Sequence, residues 1–182
     1  IKPFAKLKLP IFLDLKFLDI KNTVIKAIES LDGLPIEYLS IHTLNGKQTL
    51  LEAKKKAQEL TKPIKLLGIT ILTSFSEKTL QEIGVKNSMP EQVTILAQLA
   101  KETKLDGIVC SPHEVKKIKN ICGEMKIFTP GIRMNKNNVD DQERIMTPKD
   151  ALDQGATYLV IGRSITAGNP LENIKKIINS IN

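Results

Sequence analysis

Short apolar runs alternate with amphipathic stretches almost from end to end of the chain. The apolar runs are IFLDLK (11–16), YLSIHT (38–43), KLLGITILT (65–73), DGIVCS (106–111), KIFTPGI (126–132) and YLVIGRSI (158–165). Each reads as a strand, and each is followed by a segment with helical spacing. Those segments are NTVIKAIESL, KQTLLEAKKKAQEL, SEKTLQEI with MPEQVTILAQLAKET, HEVKKIKNIC, TPKDALDQG and PLENIKKIINSI. Near-continuous apolar strands separated by amphipathic helices predict a parallel sheet with both faces covered. Asn22, Ser76 and the pair Thr147-Pro148 stand where helices should begin.

The pattern makes six βα units in a single domain over 1–182. A closed barrel needs eight, in about 250 residues, whereas a doubly wound open sheet is complete with six. However, no glycine-rich nucleotide turn follows the first strand, and polar residues cluster at the C-terminal ends of most strands rather than at one switch point. The expected fold is therefore α/β, a TIM (β/α)8 barrel with about six units in this chain and the first two N-terminal units outside it. The lack of an initiating Met points the same way.

One strand breaks the apolar rule. IFLDLKFLDIKNTV (11–24) places Asp14, Lys16 and Asp19 within six positions. Alternation along a strand puts Asp14 and Lys16 on one face, opposite Leu13, Leu15 and Phe17. Opposite charges on the inward face are costly to bury unless paired or used. They are either a structural ion pair or an active site at the C-terminal end of a strand.

Composition narrows the partners. A net charge of +7 favours anions: nucleic acid, acidic membrane or phosphorylated small molecules. Aromatic residues make up only 4% of the chain and Trp is absent, so stacking platforms for single-stranded nucleic acid are scarce. The lysines spread along helical faces such as LLEAKKKAQEL, as on a solvated surface. Among 27 basic residues only Arg133, Arg144 and Arg163 are arginines, all in the last third, which hints at sites where a planar bidentate donor is wanted. No run is long enough to span a membrane, and the start IKPFAKLKLPIF is too interrupted for a signal peptide. Cys110 and Cys122 form no disulfide framework, and Cys110 reads as a core residue. Cytoplasm is the expected compartment.

Strand ends collect the candidate chemistry: Asp14 and Lys16, His42 and Thr43, Thr73 and Ser74, Ser111, Arg133, and Gly162 with Arg163. In a barrel such ends converge on one mouth. His42 also fits a structural histidine, and Ser74 and Ser76 fit helix caps. The C-terminal part is more specific. TPGIR (129–133) precedes the polar stretch MNKNNVDDQ, and VIGRSIT ends a strand in Gly162-Arg163 before the last helix. Loops after the last barrel strands commonly hold phosphate on backbone N–H groups. Gly162 would let a ligand approach the backbone and Arg163 would grip phosphate oxygens.

DLKFLDIKNTV resembles the D-x-K-x-x-D signature of the orotidine 5′-phosphate decarboxylase family, and TPGIR…DDQERIMTP with YLVIGRSIT resembles its bacterial C-terminal motifs. The similarity covers essentially the whole chain. Leu18 and Lys21 depart from the His and Pro common in bacterial members, which implies changed local packing rather than lost chemistry. The family takes a ribose-binding Asp and a further catalytic Lys from its first two strands, so a chain truly beginning at Ile1 is expected to be inactive.

The resemblance implies decarboxylation of orotidine 5′-phosphate to uridine 5′-phosphate in pyrimidine biosynthesis, with no cofactor and no metal. It implies that Lys16 stabilises and protonates the C6 carbanion, with Asp14 beside it, and that Asp19 and Thr23 reach across a homodimer into the neighbour's site. Thr73 or Ser74 would hold the base, and Gln142, Gly162, Arg163 and Arg133 the phosphate and its covering loop. No nucleic-acid or membrane partner is expected. The alternatives are a metal-dependent sugar-phosphate decarboxylase or aldolase of the same suprafamily, which shares D-x-K-x-x-D, and a non-catalytic basic RNA-binding domain.

Overall fold

The computed structural model describes residues 1–134 and 144–181. In chain order its elements are α1 (Lys2–Ala5), β1 (Phe12–Phe17), α2 (Lys21–Glu29), β2 (Tyr38–His42), α3 (Gly46–Glu59), β3 (Lys65–Ile69), α4 (Glu77–Glu82) and α5 (Met89–Glu102). There follow β4 (Gly107–Val109), α6 (Val115–Cys122), β5 (Lys126–Thr129), α7 (Pro148–Asp153), β6 (Tyr158–Leu159), α8 (Arg163–Thr166) and α9 (Pro170–Ile181). Single 3-10 turns lie at Thr43–Asn45 and Pro112–Glu114. The strands hydrogen-bond in sequence order, β1 to β6, and the β1–β2, β2–β3 and β5–β6 ladders are parallel. This is the α/β class that the hydrophobic pattern predicts.

Each strand begins within a residue of its apolar run, but most end earlier. The largest difference is at 158–165, where β6 is two residues long and Arg163 already opens a helix. The carbonyl of Gly162 accepts the N–H groups of Ile165 (2.8 Å) and Thr166 (3.1 Å), so the chain turns into α8 there. Ser76 and Thr147 cap as expected, accepting the N–H groups of Thr79 and Asp150. Asn22 does not. The carbonyl of Ile20 takes the N–H groups of Thr23 and Val24, which starts α2 at Lys21 and leaves Asn22 inside its first turn.

Contacts gather the chain into two compact units, 1–70 with 95–108, and 71–94 with 109–182. In the first, all five residues of β2 are buried. They share a core with Val24 and Ile28 of α2, Leu50, Ala53 and Ala57 of α3, and Leu66, Leu67 and Ile69 of β3. Asp106 ties this unit together, accepting Lys54 Nζ at 2.5 and 2.6 Å and the Leu66 N–H at 2.7 Å. In the second unit, Leu80, Val93, Val115, Ile118, Ile127 and Ile132 are fully buried, and Phe128 stacks on Tyr158 with ring centroids 4.5 Å apart. Cys110 and Cys122 are buried thiols outside any disulfide, and burial pushes the Cys110 thiol well above its usual range.

Gly68 in β3 is required by packing. A Cβ there would lie 2.9 Å from Thr43 Cγ2, 2.9 Å from Leu105 Cδ1 and 3.3 Å from Ala100 Cβ. Thr43 cannot rotate away cheaply, because its hydroxyl donates to the Ile69 carbonyl at 2.7 Å. Gly68→Ala should therefore destabilise the protein by about 1–3 kcal/mol, the usual cost of overpacking. Urea denaturation checks this, and unchanged stability would show that the contact relaxes freely.

Candidate active site

The end of β1 departs from regular strand geometry. Phe12 and Leu13 stand opposite Tyr38 and Leu39, yet Phe17 stands opposite Ile41, so four steps along β1 match two along β2. The irregularity contains Asp14 and Lys16, and Lys16 sits at φ +50°. A left-handed backbone costs a lysine about 1–2 kcal/mol, and such strain persists only where its surroundings hold it. Bulges of this kind re-aim side chains and are common beside active sites.

Three polar groups do the holding. The Ser40 hydroxyl, fully buried on β2, accepts the Lys16 N–H at 2.8 Å and donates to Asp14 Oδ1 at 2.7 Å. Lys16 Nζ reaches Asp14 Oδ2 at 2.6 Å. Asn45 Nδ2 donates to the carbonyls of Phe17 and His42, both at 2.7 Å, and its Oδ1 accepts the Asp19 N–H at 3.3 Å. His42 accepts the Leu44 N–H on Nδ1. Burial first, and then the Lys16 charge, hold its imidazole below the usual range, which favours its neutral form.

The sequence reading placed Asp14 and Lys16 on a buried inward face. Their side chains are instead 39% and 41% exposed, because β1 is the first strand of the described sheet and bulges at this point. A pair this exposed contributes about 0–1 kcal/mol to stability. That small contribution leaves the strained, clamped geometry unexplained as a device for holding the fold.

Asp19 and Thr23 are exposed at the start of α2. The two departures from the bacterial pattern flank this turn. Leu18 is 54% exposed, and Lys21 forms an ion pair with Glu52 of α3 at 3.0 Å.

In the second unit, Thr73 lies half-buried and Ser74 exposed in a turn after β3. Arg133 is 7% exposed; its N–H donates to the Met146 carbonyl at 3.0 Å and its Nη1 to the Ile132 carbonyl at 3.0 Å. Gly162 and Arg163 are exposed at the start of α8, and nothing lies within 4 Å of where a Gly162 side chain would begin. Gln142 lies outside the described residues.

Arg144 carries a network that the sequence reading did not assign. It pairs with Glu114, and its Nη2 donates to the Leu72 carbonyl at 2.9 Å, one residue before Thr73. Glu114 also accepts the Ser111 N–H at 3.1 Å, closing a capping box. Among the described residues, no group of three or more His, Cys, Asp or Glu is placed to hold a metal, and no helix is long and apolar enough to cross a membrane.

The model of the orotidine 5′-phosphate decarboxylase / HUMPS family matches residues 1–177. The chain belongs to this family. Proteins named orotidine 5′-phosphate decarboxylase from Wolbachia pipientis and Buchnera aphidicola are each 45% identical to it. Both alignments cover 100% of this chain, with 80% of the Wolbachia protein and 78% of the Buchnera protein. The crystal structure of orotidine 5′-phosphate decarboxylase from Lactobacillus acidophilus superposes with a TM-score of 0.83 at 36% identity, over 100% of this chain and 79% of that one. The family resemblance read from DLKFLD, TPGIR and VIGRSIT is thereby borne out, as is the barrel fold class.

Ser40, Asn45 and the Glu114–Arg144 pair were missed. A serine between two fully buried residues of an apolar strand is the one signal that could have pointed to Ser40. Asn45-Gly46 reads only as a turn.

The Glu114 pair has a pH signature. Burial pushes its carboxyl above the ordinary range, while the Arg144 charge and the Ser111 N–H pull it back. With the folded-state value above the unfolded one, the folded chain binds this proton more readily, so stability from this group falls as pH rises through that window. Arg144→Gln raises the folded value further. The variant should lose about 3–5 kcal/mol at pH 7, as for a broken buried pair, and recover part of it near pH 5 as Glu114 protonates. Urea denaturation at both values checks this; an equal deficit at each would mean that Glu114 is not the source.

Proposed function

We propose that the protein decarboxylates orotidine 5′-phosphate to uridine 5′-phosphate, a step of pyrimidine biosynthesis, without metal or cofactor and in the cytoplasm. The observation that carries this reading is the clamped Asp14–Lys16 pair on a strained strand end, within a chain 45% identical to proteins of that name. In the reaction the bond from C6 to the carboxylate breaks, carbon dioxide leaves, and the electron pair stays at C6. An ammonium fixed at that position stabilises the charge as it develops. It then gives its proton to the carbon, and Lys16 takes one back from solvent.

Asp14 holds the ammonium through Oδ2 and, by its own charge, crowds the substrate carboxylate. Asp19 and Thr23, both exposed, act in the site of the neighbouring subunit of a homodimer. Thr73 or Ser74 holds the base. Gly162 leaves open space for a phosphate against its backbone, and Arg163 supplies the bidentate grip, with Arg133 supporting the phosphate side.

An ultraviolet assay of orotidylate loss on the full-length protein tests the reading directly. Persistence of activity in chelator separates it from a metal-dependent sugar-phosphate enzyme. Lys16→Ala should abolish turnover while leaving a folded protein that binds uridine monophosphate; appreciable residual turnover would remove Lys16 from the role. Arg163→Ala should weaken nucleotide binding roughly ten- to a hundredfold, from the loss of about 1.5–3 kcal/mol in a charge-assisted contact. Binding of the unphosphorylated nucleoside, measured in parallel, should hardly change. Equal weakening of both would overturn the phosphate assignment.

A further inference from the structure

We infer that Ser40 is a positioning residue for the reaction: its buried hydroxyl sets the backbone of Lys16 and the carboxylate of Asp14, and so the place where the ammonium stands. The inference rests on the decarboxylase reading and assigns a role to a side chain outside the D-x-K-x-x-D motif.

The hydroxyl is committed in one direction only. A backbone N–H can only donate and a carboxylate can only accept. The Ser40 proton therefore goes to Asp14 Oδ1 at 2.7 Å, and its lone pair receives the Lys16 N–H at 2.8 Å. Asp14 is then gripped at both oxygens, Oδ1 by Ser40 and Oδ2 by Lys16 Nζ at 2.6 Å, which fixes the carboxylate plane. Lys16 is gripped at both ends, by its N–H and by its ammonium. The resulting ring runs from Ser40 to Asp14 to Lys16 and back to Ser40.

Such a ring explains why the left-handed backbone persists at Lys16. Lys8 and Lys104 are the other described non-glycine residues with positive φ, and neither lies within a strand. At Lys16 the cost is met by the N–H donating to the fully buried Ser40 hydroxyl, whose own proton goes to Asp14. Remove the hydroxyl, and the Lys16 N–H and Asp14 Oδ1 both lose a bond. The strand end is then free to relax toward ordinary extended geometry. A displacement of about 1 Å at a reacting group costs on the order of a hundredfold in rate.

The role separates from simple stability because Ser40 touches neither the base nor the phosphate in the proposed reading. Its loss should appear in kcat rather than in KM. In the full-length protein, Ser40→Ala should lower kcat about ten- to a hundredfold, with KM for orotidine 5′-phosphate and affinity for uridine monophosphate within about threefold of wild type (under 0.7 kcal/mol). Ser40→Thr, which keeps the hydroxyl and suits a strand, should recover most of the lost kcat. Wild type and Lys16→Ala are run in the same assay. If wild type does not consume orotidylate, the decarboxylase reading fails. If wild type turns over, Lys16→Ala is dead and Ser40→Ala matches wild type, only the Ser40 inference fails. A lost kcat that Thr leaves uncorrected in a protein melting like wild type also overturns it, as does a Ser40→Ala protein that does not fold, which would make Ser40 a group that holds the fold.

Discussion

The geometry of the candidate site depends on a lysine held in a left-handed backbone inside a strand. Lys16 at φ +50° is locally unfavourable, and the two-residue slip of β1 against β2 interrupts their ladder. Both costs become tolerable because β2 is buried along its whole length and cannot move to relieve them. The rigid partner strand supplies Ser40 at the bulge and His42 at its end, and the turn beyond supplies Asn45. Strain is thus stored where the surroundings over-determine the backbone, the usual condition for strain at functional sites.

Shielded and exposed ion pairs differ in what they can do. Lys54–Asp106 and Arg144–Glu114 are largely shielded from water and carry further backbone hydrogen bonds, from Leu66 and to Leu72 respectively. Removing one partner from such a pair strands a charge in a poor solvent. The Asp14–Lys16 pair is about two-fifths exposed and contributes little to stability. Losing it would therefore cost the fold little.

Much of this fold was legible because strands and helices advertise their periods. All six apolar runs contain a strand, and Ser76 and Thr147 cap where composition says they should. What escaped was set by tertiary contacts. Alternation along IFLDLK assumes a regular strand, so the bulge, the positive φ of Lys16 and the exposure of the pair lay outside its reach. The 158–165 run looked like one strand because hydropathy does not register the point at which the Gly162 carbonyl begins to accept helical N–H groups. Of the candidate site, motifs single out Asp14, Lys16 and Asp19; Ser40 and Asn45 escape, since a lone serine in an apolar strand and an Asn-Gly turn each have a plainer meaning.

The two buried thiols give the second unit a chemical property of its own. Cys110 and Cys122 are shut away from solvent, and burial keeps the Cys110 sulfur in its protonated, poorly nucleophilic form. Neither alkylating reagents nor peroxide reach a thiolate while the unit stays closed, which keeps both residues off the first rung of the oxidation ladder. Labelling at these positions is therefore gated by opening of the structure: the rate at which a thiol reagent is consumed becomes a clock for how often the core around α6 and β5 breathes.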